Sequence, residues 1–95
     1  NEDKMKSFFV YALKSEVDGR IYVGMSTDVK ARLKQHNAGS TRSTKGYRPW
    51  RLHYVESQPN EAAALKRERF LKGGSGKEFL KSLNSDNSPV VQGIE

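Results

Sequence analysis

The chain has 95 residues, with 17 lysines and arginines against 11 aspartates and glutamates, and a net charge of +6 at neutral pH. This length allows for one domain with one modest core. The sequence contains no cysteine, which excludes disulfide bonds and thiolate metal sites. No apolar run approaches the roughly 18 residues that span a membrane, and no signal peptide is recognisable, so we expect a soluble cytoplasmic protein.

The positive charge is concentrated in the middle of the chain. Between Asp28 and Glu56 there is no acidic residue, whereas seven basic residues fall in this window: Lys30, Arg32, Lys34, Arg42, Lys45, Arg48 and Arg51. A surface that is merely solvated mixes the two signs, so this block predicts contact with a polyanion, with a solvated basic face as the alternative. Acidic lipid is a poorer match, because the block spans several elements instead of one amphipathic helix.

Two strands and a tight turn are predicted near the start of the chain. Residues 1–7 are mostly polar and are expected to be disordered. The runs 8–13 and 20–25 are rich in aromatic and β-branched residues, and the Asp18-Gly19 dipeptide between them suits a hairpin turn. If the loop holds an even number of residues, Tyr11 and Tyr22 share one face of the hairpin. The opposite face then carries the predicted core residues Val10, Ala12, Ile21, Val23 and Met25.

A helix is predicted next, beginning at a cap on Thr27 or Asp28 and running to about residue 36. One face of this helix carries four residues at the i, i+3, i+4, i+7 spacing: Val29, Arg32, Leu33 and His36. An arginine and a histidine therefore share a face with two core anchors. Such a placement makes both polar residues candidates for a functional role.

Residues 38–48 are rich in glycine, serine, threonine and basic residues and predict a mobile surface loop. A third strand follows over residues 50–55. Its alternation predicts that Trp50 and Tyr54 face the core while His53 faces solvent.

Two helices are predicted after this strand. Asn60 caps a helix over residues 61–72, in which Glu68 lies among the apolar positions of one face. Ser75 and Glu78 have the spacing of a capping box and predict a short third helix.

Together these elements predict an α/β (α+β) fold, with a three-stranded antiparallel sheet flanked by about three helices in the order β-β-α-β-α-α. The domain is expected to occupy residues 8–83. Residues 84–95 are polar at their start and are predicted to form a disordered tail.

The spacing of several short motifs resembles the GIY-YIG nuclease superfamily, and most closely its small stand-alone bacterial proteins. The matching residues run in the family's order: Tyr11, Tyr22-Val23-Gly24, Arg32-Leu33, His36-Asn37, Thr44-Lys45, Arg48-Pro49-Trp50, Glu61-Ala62 and Glu68. The chain departs from the family pattern at two places. The first triplet reads Val-Tyr-Ala around Tyr11, and Met25 stands where some members have lysine.

This resemblance implies hydrolysis of a DNA phosphodiester bond. Carried over by position, Tyr11 and Tyr22 are the paired motif tyrosines, Arg32 is the catalytic arginine and His36 is an accessory residue. Glu68 is implied as the carboxylate that binds one divalent ion, Mg²⁺ or Mn²⁺. The remaining basic residues are expected to contact the DNA phosphates: Lys30, Lys34, Arg42, Lys45, Arg48 and Arg51.

The chemistry of these residue types fits the implied roles, and each has a simpler alternative. Arg32 has a planar fork that can hold two phosphate oxygens, although it could be a surface residue with a partly buried stem. Glu68 could instead pair with Lys72 four residues on. A tyrosine could act as a base or orient water, and a nearby arginine would lower its pKa; it could also be a core aromatic. His36 could simply end its helix with its hydrogen bonds satisfied.

Three functions are compatible with these features. The first is a metal-dependent endonuclease acting on DNA. The second is a nucleic-acid-binding module of the same fold, with weak or no catalysis, that acts with a partner protein. The third is an interaction protein for an acidic partner, which predicts no salt-dependent DNA binding.

Overall fold

The computed structural model describes residues 7–83 and 90–92, and the elements follow the predicted order. In chain order they are β1 (Phe8–Ser15), β2 (Ile21–Ser26), α1 (Val29–Ala38), α2 (Arg42–Lys45), β3 (Trp50–Gln58), α3 (Glu61–Lys72), α4 (Gly74–Ser82) and β4 (Val90–Gln92). The sheet has the strand order β2-β1-β3-β4, and its first three strands are antiparallel. The predicted three-stranded antiparallel sheet with flanking helices is therefore confirmed.

The hairpin has the predicted register. Tyr11 pairs with Gly24, and Leu13 pairs with Tyr22, so the two tyrosines lie on one face. The turn between the strands uses Gly19 at φ +80°, a left-handed conformation that glycine adopts without strain.

Helices cover both faces of the sheet. On one face, α3 and α4 contribute Ala64, Leu71 and Leu80 to a core with β1 and β2. On the other face, α1 places Val29 and Leu33 against a second core cluster that includes Tyr11. The sheet is thus the middle layer of three, and the two motif tyrosines lie between it and α1.

Helix α1 is capped at both ends, by a side chain at its N-terminus and by a glycine at its C-terminus. The Asp28 side chain accepts a hydrogen bond from the Ala31 backbone N–H at 3.1 Å, which satisfies a free donor of the first turn. The helix ends before Gly39, whose φ of +85° is again left-handed. Because Arg32 and His36 are four residues apart within this helix, they lie on the predicted common face.

The third strand departs from the predicted alternation. The pairing of β1 with β3 shifts between Ala12, which pairs with Tyr54, and Leu13, which pairs with Leu52. His53 is therefore an extra residue in β3 and forms a β-bulge.

This bulge changes which side chains share a face. Trp50 joins the core cluster of Tyr11, whereas Tyr54 joins the cluster under α3 and α4. His53 is only 4% exposed, and its Nε2 lies 2.8 Å from the Leu80 carbonyl oxygen of α4. The predictions that His53 faces solvent and that Trp50 and Tyr54 share a face are both wrong.

The predicted loop over residues 38–48 contains the short helix α2. Its Thr44 is 1% exposed, and the Thr44 carbonyl accepts a hydrogen bond of 2.8 Å from Trp50 Nε1. Thr44 can be buried within this mostly exposed polar run because its polar groups find partners inside the fold.

A buried carboxylate ties α3 to β3. Glu56 accepts two hydrogen bonds from Arg67, at 2.8 and 3.0 Å, and one each from Tyr54 and Gln58 at 2.6 Å. Burial alone would raise the pKa of Glu56, but the hydrogen bonds from Arg67, Tyr54 and Gln58 outweigh it and the pKa is lowered. This network fixes the position of α3, the helix that carries Glu68.

The C-terminal part of the chain differs from prediction in two respects. Helix α4 begins at Gly74, so Ser75 lies inside its first turn and does not cap it, since the cap residue is Gly73. Val90–Gln92 were predicted to belong to a disordered tail, yet they form β4 in parallel with Tyr54–Glu56. The predictions for residues 1–6, 84–89 and 93–95 lie outside the described residues.

Among the helices of the described ranges, none combines the length and the apolar character needed to cross a bilayer.

We predict that Gly76→Ala destabilises the protein by about 1–3 kcal/mol, because a Cβ at this position would overlap the Phe70 carbonyl oxygen and the Leu71 Cα. Gly46→Ala is the matched control: it has open space around it and an ordinary right-handed φ, and should be neutral or slightly stabilising. Urea denaturation followed by circular dichroism measures both. Equal effects from the two substitutions would contradict the close approach of α4 to α3.

Candidate active site

A line of hydrogen bonds connects β1, α1 and α2. The Tyr11 hydroxyl lies 3.3 Å from His36 Nε2, and His36 Nδ1 lies 2.9 Å from Thr44 Oγ1. Thr44 Oγ1 in turn donates to the Thr41 carbonyl at 3.3 Å. Tyr11 and His36 are both fully buried, so these bonds replace the water that the polar groups have lost.

The last bond in this line determines the direction of the others. Because the Thr44 hydroxyl proton is directed at the Thr41 carbonyl, Thr44 Oγ1 accepts from His36 Nδ1–H. His36 Nε2 is then unprotonated and accepts the Tyr11 hydroxyl proton. Burial lowers the pKa of His36, and the nearby Arg32 guanidinium lowers it further, so the imidazole is neutral at pH 7.

Gly24 makes the approach of Tyr11 possible. A Cβ on Gly24 would lie 2.7 Å from the Tyr11 hydroxyl oxygen. This distance is too short for a non-bonded contact, so the Tyr11 side chain or the backbone would have to move. The Tyr22 ring completes the site, with its centroid 4.7 Å from that of His36 and 6.4 Å from that of Tyr11. Aromatic contacts of this kind hold the tyrosines and the imidazole in one arrangement.

Arg32 lies beside the two tyrosines. Interaction with the Tyr11 hydroxyl raises the pKa of the Arg32 guanidinium, and the Tyr22 hydroxyl acts in the same direction. The side chain is only partly exposed, and its Nη1 donates to Gln35 Oε1 at 2.7 Å. A positive fork is thus held beside the Tyr11–His36 pair and can still be reached from solvent.

The ionisation of Tyr11 differs from the prediction that a neighbouring arginine would lower its pKa. Burial raises the pKa of the Tyr11 phenol, and this outweighs the opposite effect of Arg32; the charges of Tyr22 and Glu68 raise it further. Tyr11 is therefore a neutral phenol at pH 7. It donates a hydrogen bond to neutral His36 and is not ionised at this pH.

Glu68 is within electrostatic range of Tyr11 and contributes to the raised pKa of that phenol. Its side chain is 16% exposed, and its Oε2 lies 3.3 Å from Lys72 Nζ, so the intrahelical pair considered as an alternative is present. A hard carboxylate oxygen in this position fits Mg²⁺ or Mn²⁺, which commonly bind one or two carboxylates and fill their remaining positions with water and phosphate. Within the part of the chain that the structure describes, there is no group of three or more acidic, histidine or cysteine side chains that could hold a metal by themselves.

The structure thus brings four of the five predicted catalytic residues into contact or close proximity: Tyr11, Tyr22, Arg32 and His36. Glu68 approaches from α3, on the other side of the sheet.

The predicted DNA-contacting residues divide into two groups. Five are exposed and lie on or next to α1 and α2, the helices that carry and support the site: Lys30, Lys34, Arg42, Lys45 and Arg48. We call these five residues the α1–α2 basic surface. Arg51 differs. It lies opposite Lys14 in the β1–β3 strand pairing, and the Lys14 side chain is on the other face of the sheet from that of Tyr11, so the Arg51 side chain also faces away from Tyr11. Arg51 therefore does not join this surface.

Thr44 is a site residue that sequence reasoning did not single out. It lies eight residues after His36 within the predicted loop, where no periodicity indicates burial. The one signal was its place among the motifs of the resemblance. Asn37 supports the same region by accepting from the Trp50 backbone N–H at 2.7 Å and donating to the Trp50 carbonyl at 2.9 Å.

We predict that Thr44→Val lowers the free energy of unfolding by about 1–3 kcal/mol, because it leaves His36 Nδ1–H buried without an acceptor. Thr27→Val is the matched control at an exposed position and should change stability by less than about 0.5 kcal/mol. Chemical denaturation at pH 7 measures both. A Thr44→Val protein as stable as wild type would contradict the assigned direction of the hydrogen bonds.

Known proteins that resemble this chain identify its family. The family model described as the GIY-YIG catalytic domain matches residues 7–84. UPF0213 proteins of Staphylococcus aureus strains Mu3 and Mu50 are each 44% identical over 69 residues, which cover 72% of this chain and 83% of theirs. The solution NMR structure of a UPF0213 protein from Bacillus halodurans is similar with a TM-score of 0.50 and 34% sequence identity, covering 82% of this chain and 85% of that one. The chain therefore belongs to the GIY-YIG family of nuclease domains and is a relative of the UPF0213 proteins.

Proposed function

We propose that this chain is a metal-dependent endonuclease that hydrolyses DNA phosphodiester bonds. The observation that carries the proposal is the hydrogen-bonded line from Tyr11 through neutral His36 to Thr44, with the Arg32 guanidinium beside it. A structural role for the tyrosine and histidine would not require a partly exposed cation at the same point. Phosphodiester hydrolysis requires both a proton acceptor and a cation there.

Arg32 binds the scissile phosphate in this proposal. Its guanidinium can donate two parallel hydrogen bonds to phosphate oxygens and neutralise the charge that grows on them during attack. Gln35 holds the Arg32 Nη1 at 2.7 Å, which orients the fork before the substrate binds.

Tyr11 and His36 move the proton of the attacking water. Tyr11 is fully buried in this structure, so the half-buried Tyr22 and Arg32 side chains have to move for the attacking water to reach it. The Tyr11 oxygen then accepts a water proton while its own proton passes to His36 Nε2. The water oxygen bonds to phosphorus, and the leaving oxygen departs as an alkoxide. The resulting imidazolium keeps its Nδ1–H on Thr44 Oγ1. This relay uses a neutral phenol, as the raised pKa of Tyr11 requires.

Glu68 would hold the divalent ion, either Mg²⁺ or Mn²⁺. When bound, such an ion supplies positive charge to the phosphate and to the leaving oxygen. In the absence of the ion, the Lys72 ammonium lies 3.3 Å from the Glu68 carboxylate and balances its charge.

The α1–α2 basic surface supports DNA as the substrate. Phosphate contacts of this type position a duplex without reading its sequence, so binding should be salt-dependent and weakly sequence-selective. The alternative of a binding module without cleavage is favoured by the same surface, and only the chemistry at Arg32 and Glu68 separates the two.

We predict that the purified protein nicks supercoiled DNA and cleaves branched DNA with Mg²⁺ or Mn²⁺ but not with EDTA. Arg32→Ala and Glu68→Ala should each lower the rate by about 10²-fold or more, because each removes charge stabilisation of the transition state. Arg69→Ala and Glu78→Ala are exposed substitutions of the same types and should leave cleavage unchanged.

Fluorescence anisotropy measures binding to the same DNA in EDTA, and this binding serves as the control for folding and substrate contact. Retained binding with lost cleavage in the two site variants supports the enzyme. Wild-type binding without cleavage in either metal would favour the binding module, and cleavage that survives both substitutions would refute the assigned site.

A further inference from the structure

A second candidate binding site lies beside the edge strand β2, where α3 and α4 approach it. It is a cavity of about 560 Å³. Its apolar lining includes Ile21, Val23 and Leu80, of which the last two belong to the buried core. A cavity of this volume is within the range of sites that bind small molecules or single nucleotides.

Three lysines line the same cavity: Lys72, Lys77 and Lys81. Lys77 and Lys81 are four residues apart on α4 and therefore lie on one face of that helix, both exposed. Among the described residues, the side chain of neither lysine has a hydrogen-bonding or ion-pair partner, and two like charges at this spacing disfavour each other. An anion bound between them would remove that repulsion.

The cavity is connected to the candidate active site. Lys72 on its rim is the residue that pairs with Glu68 at 3.3 Å, and Tyr22 is also among its lining residues. The α1–α2 basic surface lies with α1 on the other face of the sheet. Positive side chains therefore lie on both sides of the candidate active site: the lysines of the cavity on one side and the α1–α2 basic surface on the other.

We propose that this cavity binds an unpaired nucleotide of the DNA substrate, with its phosphate on Lys77 and Lys81 and its base against the apolar lining. This inference rests on the proposed function and narrows its substrate to DNA with a single-stranded segment near the cleaved bond. The lysines alone would suit any phosphate. The apolar lining favours an unstacked base over duplex DNA, because a duplex keeps its bases paired and presents only phosphates and groove edges.

The test uses the full chain, in EDTA so that no cleavage occurs. Fluorescence anisotropy compares a blunt duplex, the same duplex with a single-stranded flap, and the flapped duplex with abasic sites in the flap. The variant is Lys77→Ala/Lys81→Ala. Its matched control is Lys66→Ala/Arg69→Ala, which removes the same charge from exposed positions of α3 that do not line the cavity.

We expect wild-type protein to bind the flapped duplex more tightly than either other probe. Lys77→Ala/Lys81→Ala should lose this preference and reduce the slope of log affinity against log salt for the flapped duplex by about 0.7, the value for one phosphate contact on a single strand. The control variant should keep the preference.

Any of these results would overturn the inference: no preference in the wild type, a preference that persists in Lys77→Ala/Lys81→Ala, or equal losses in both variants. Equal tightness for the abasic flap would also overturn it, because the base would then make no contact. Cleavage by the wild type with Mg²⁺ is measured separately, so failure of this inference leaves the proposed endonuclease standing, and failure of cleavage does not alter the binding comparison.

Discussion

The approach of the Tyr11 hydroxyl to His36 is the contact on which the site depends. It requires a glycine at position 24, since any Cβ there would meet the Tyr11 hydroxyl at 2.7 Å. It also requires the hairpin register that sets Tyr11 against Gly24 and the helix phase that directs His36 toward the sheet. A slip of one residue in the hairpin would move Tyr11 to the opposite face and abolish the contact.

The surrounding structure supplies what this buried pair needs. Thr44 gives His36 Nδ1 an acceptor, and Trp50 and Asn37 attach α2 and α1 to the start of β3. Burial keeps the phenol protonated and the imidazole neutral, so Tyr11 is the donor and His36 Nε2 the acceptor of the hydrogen bond between them. Arg32 and Glu68 contribute charge at the edge of the site, where phosphate and a metal ion could reach them.

Local patterns in the sequence were sufficient for much of this arrangement. The common face of Tyr11 and Tyr22 follows from strand alternation once the loop length is even, and that of Arg32 and His36 follows from helical spacing. Asn60 and Asp28 begin their helices as their side chains predict.

The parts that could not be predicted depend on contacts between distant segments. The bulge at His53 is a property of the pairing between β1 and β3, and nothing local to residues 50–55 indicates it. Thr44 is buried because His36 and Trp50 satisfy its polar groups, although its neighbours are those of a surface loop. The raised pKa of Tyr11 likewise reflects burial, which composition and spacing do not reveal.

The protonation state of His36, measured by ¹⁵N NMR of the imidazole at pH 7, tests most directly whether Tyr11 donates to a neutral histidine. We predict a neutral ring with the proton on Nδ1, and an Nε2 signal that changes in Tyr11→Phe. A proton on Nε2, or an imidazolium ring at this pH, would contradict it, because His36 could then not accept the proton that Tyr11 must release.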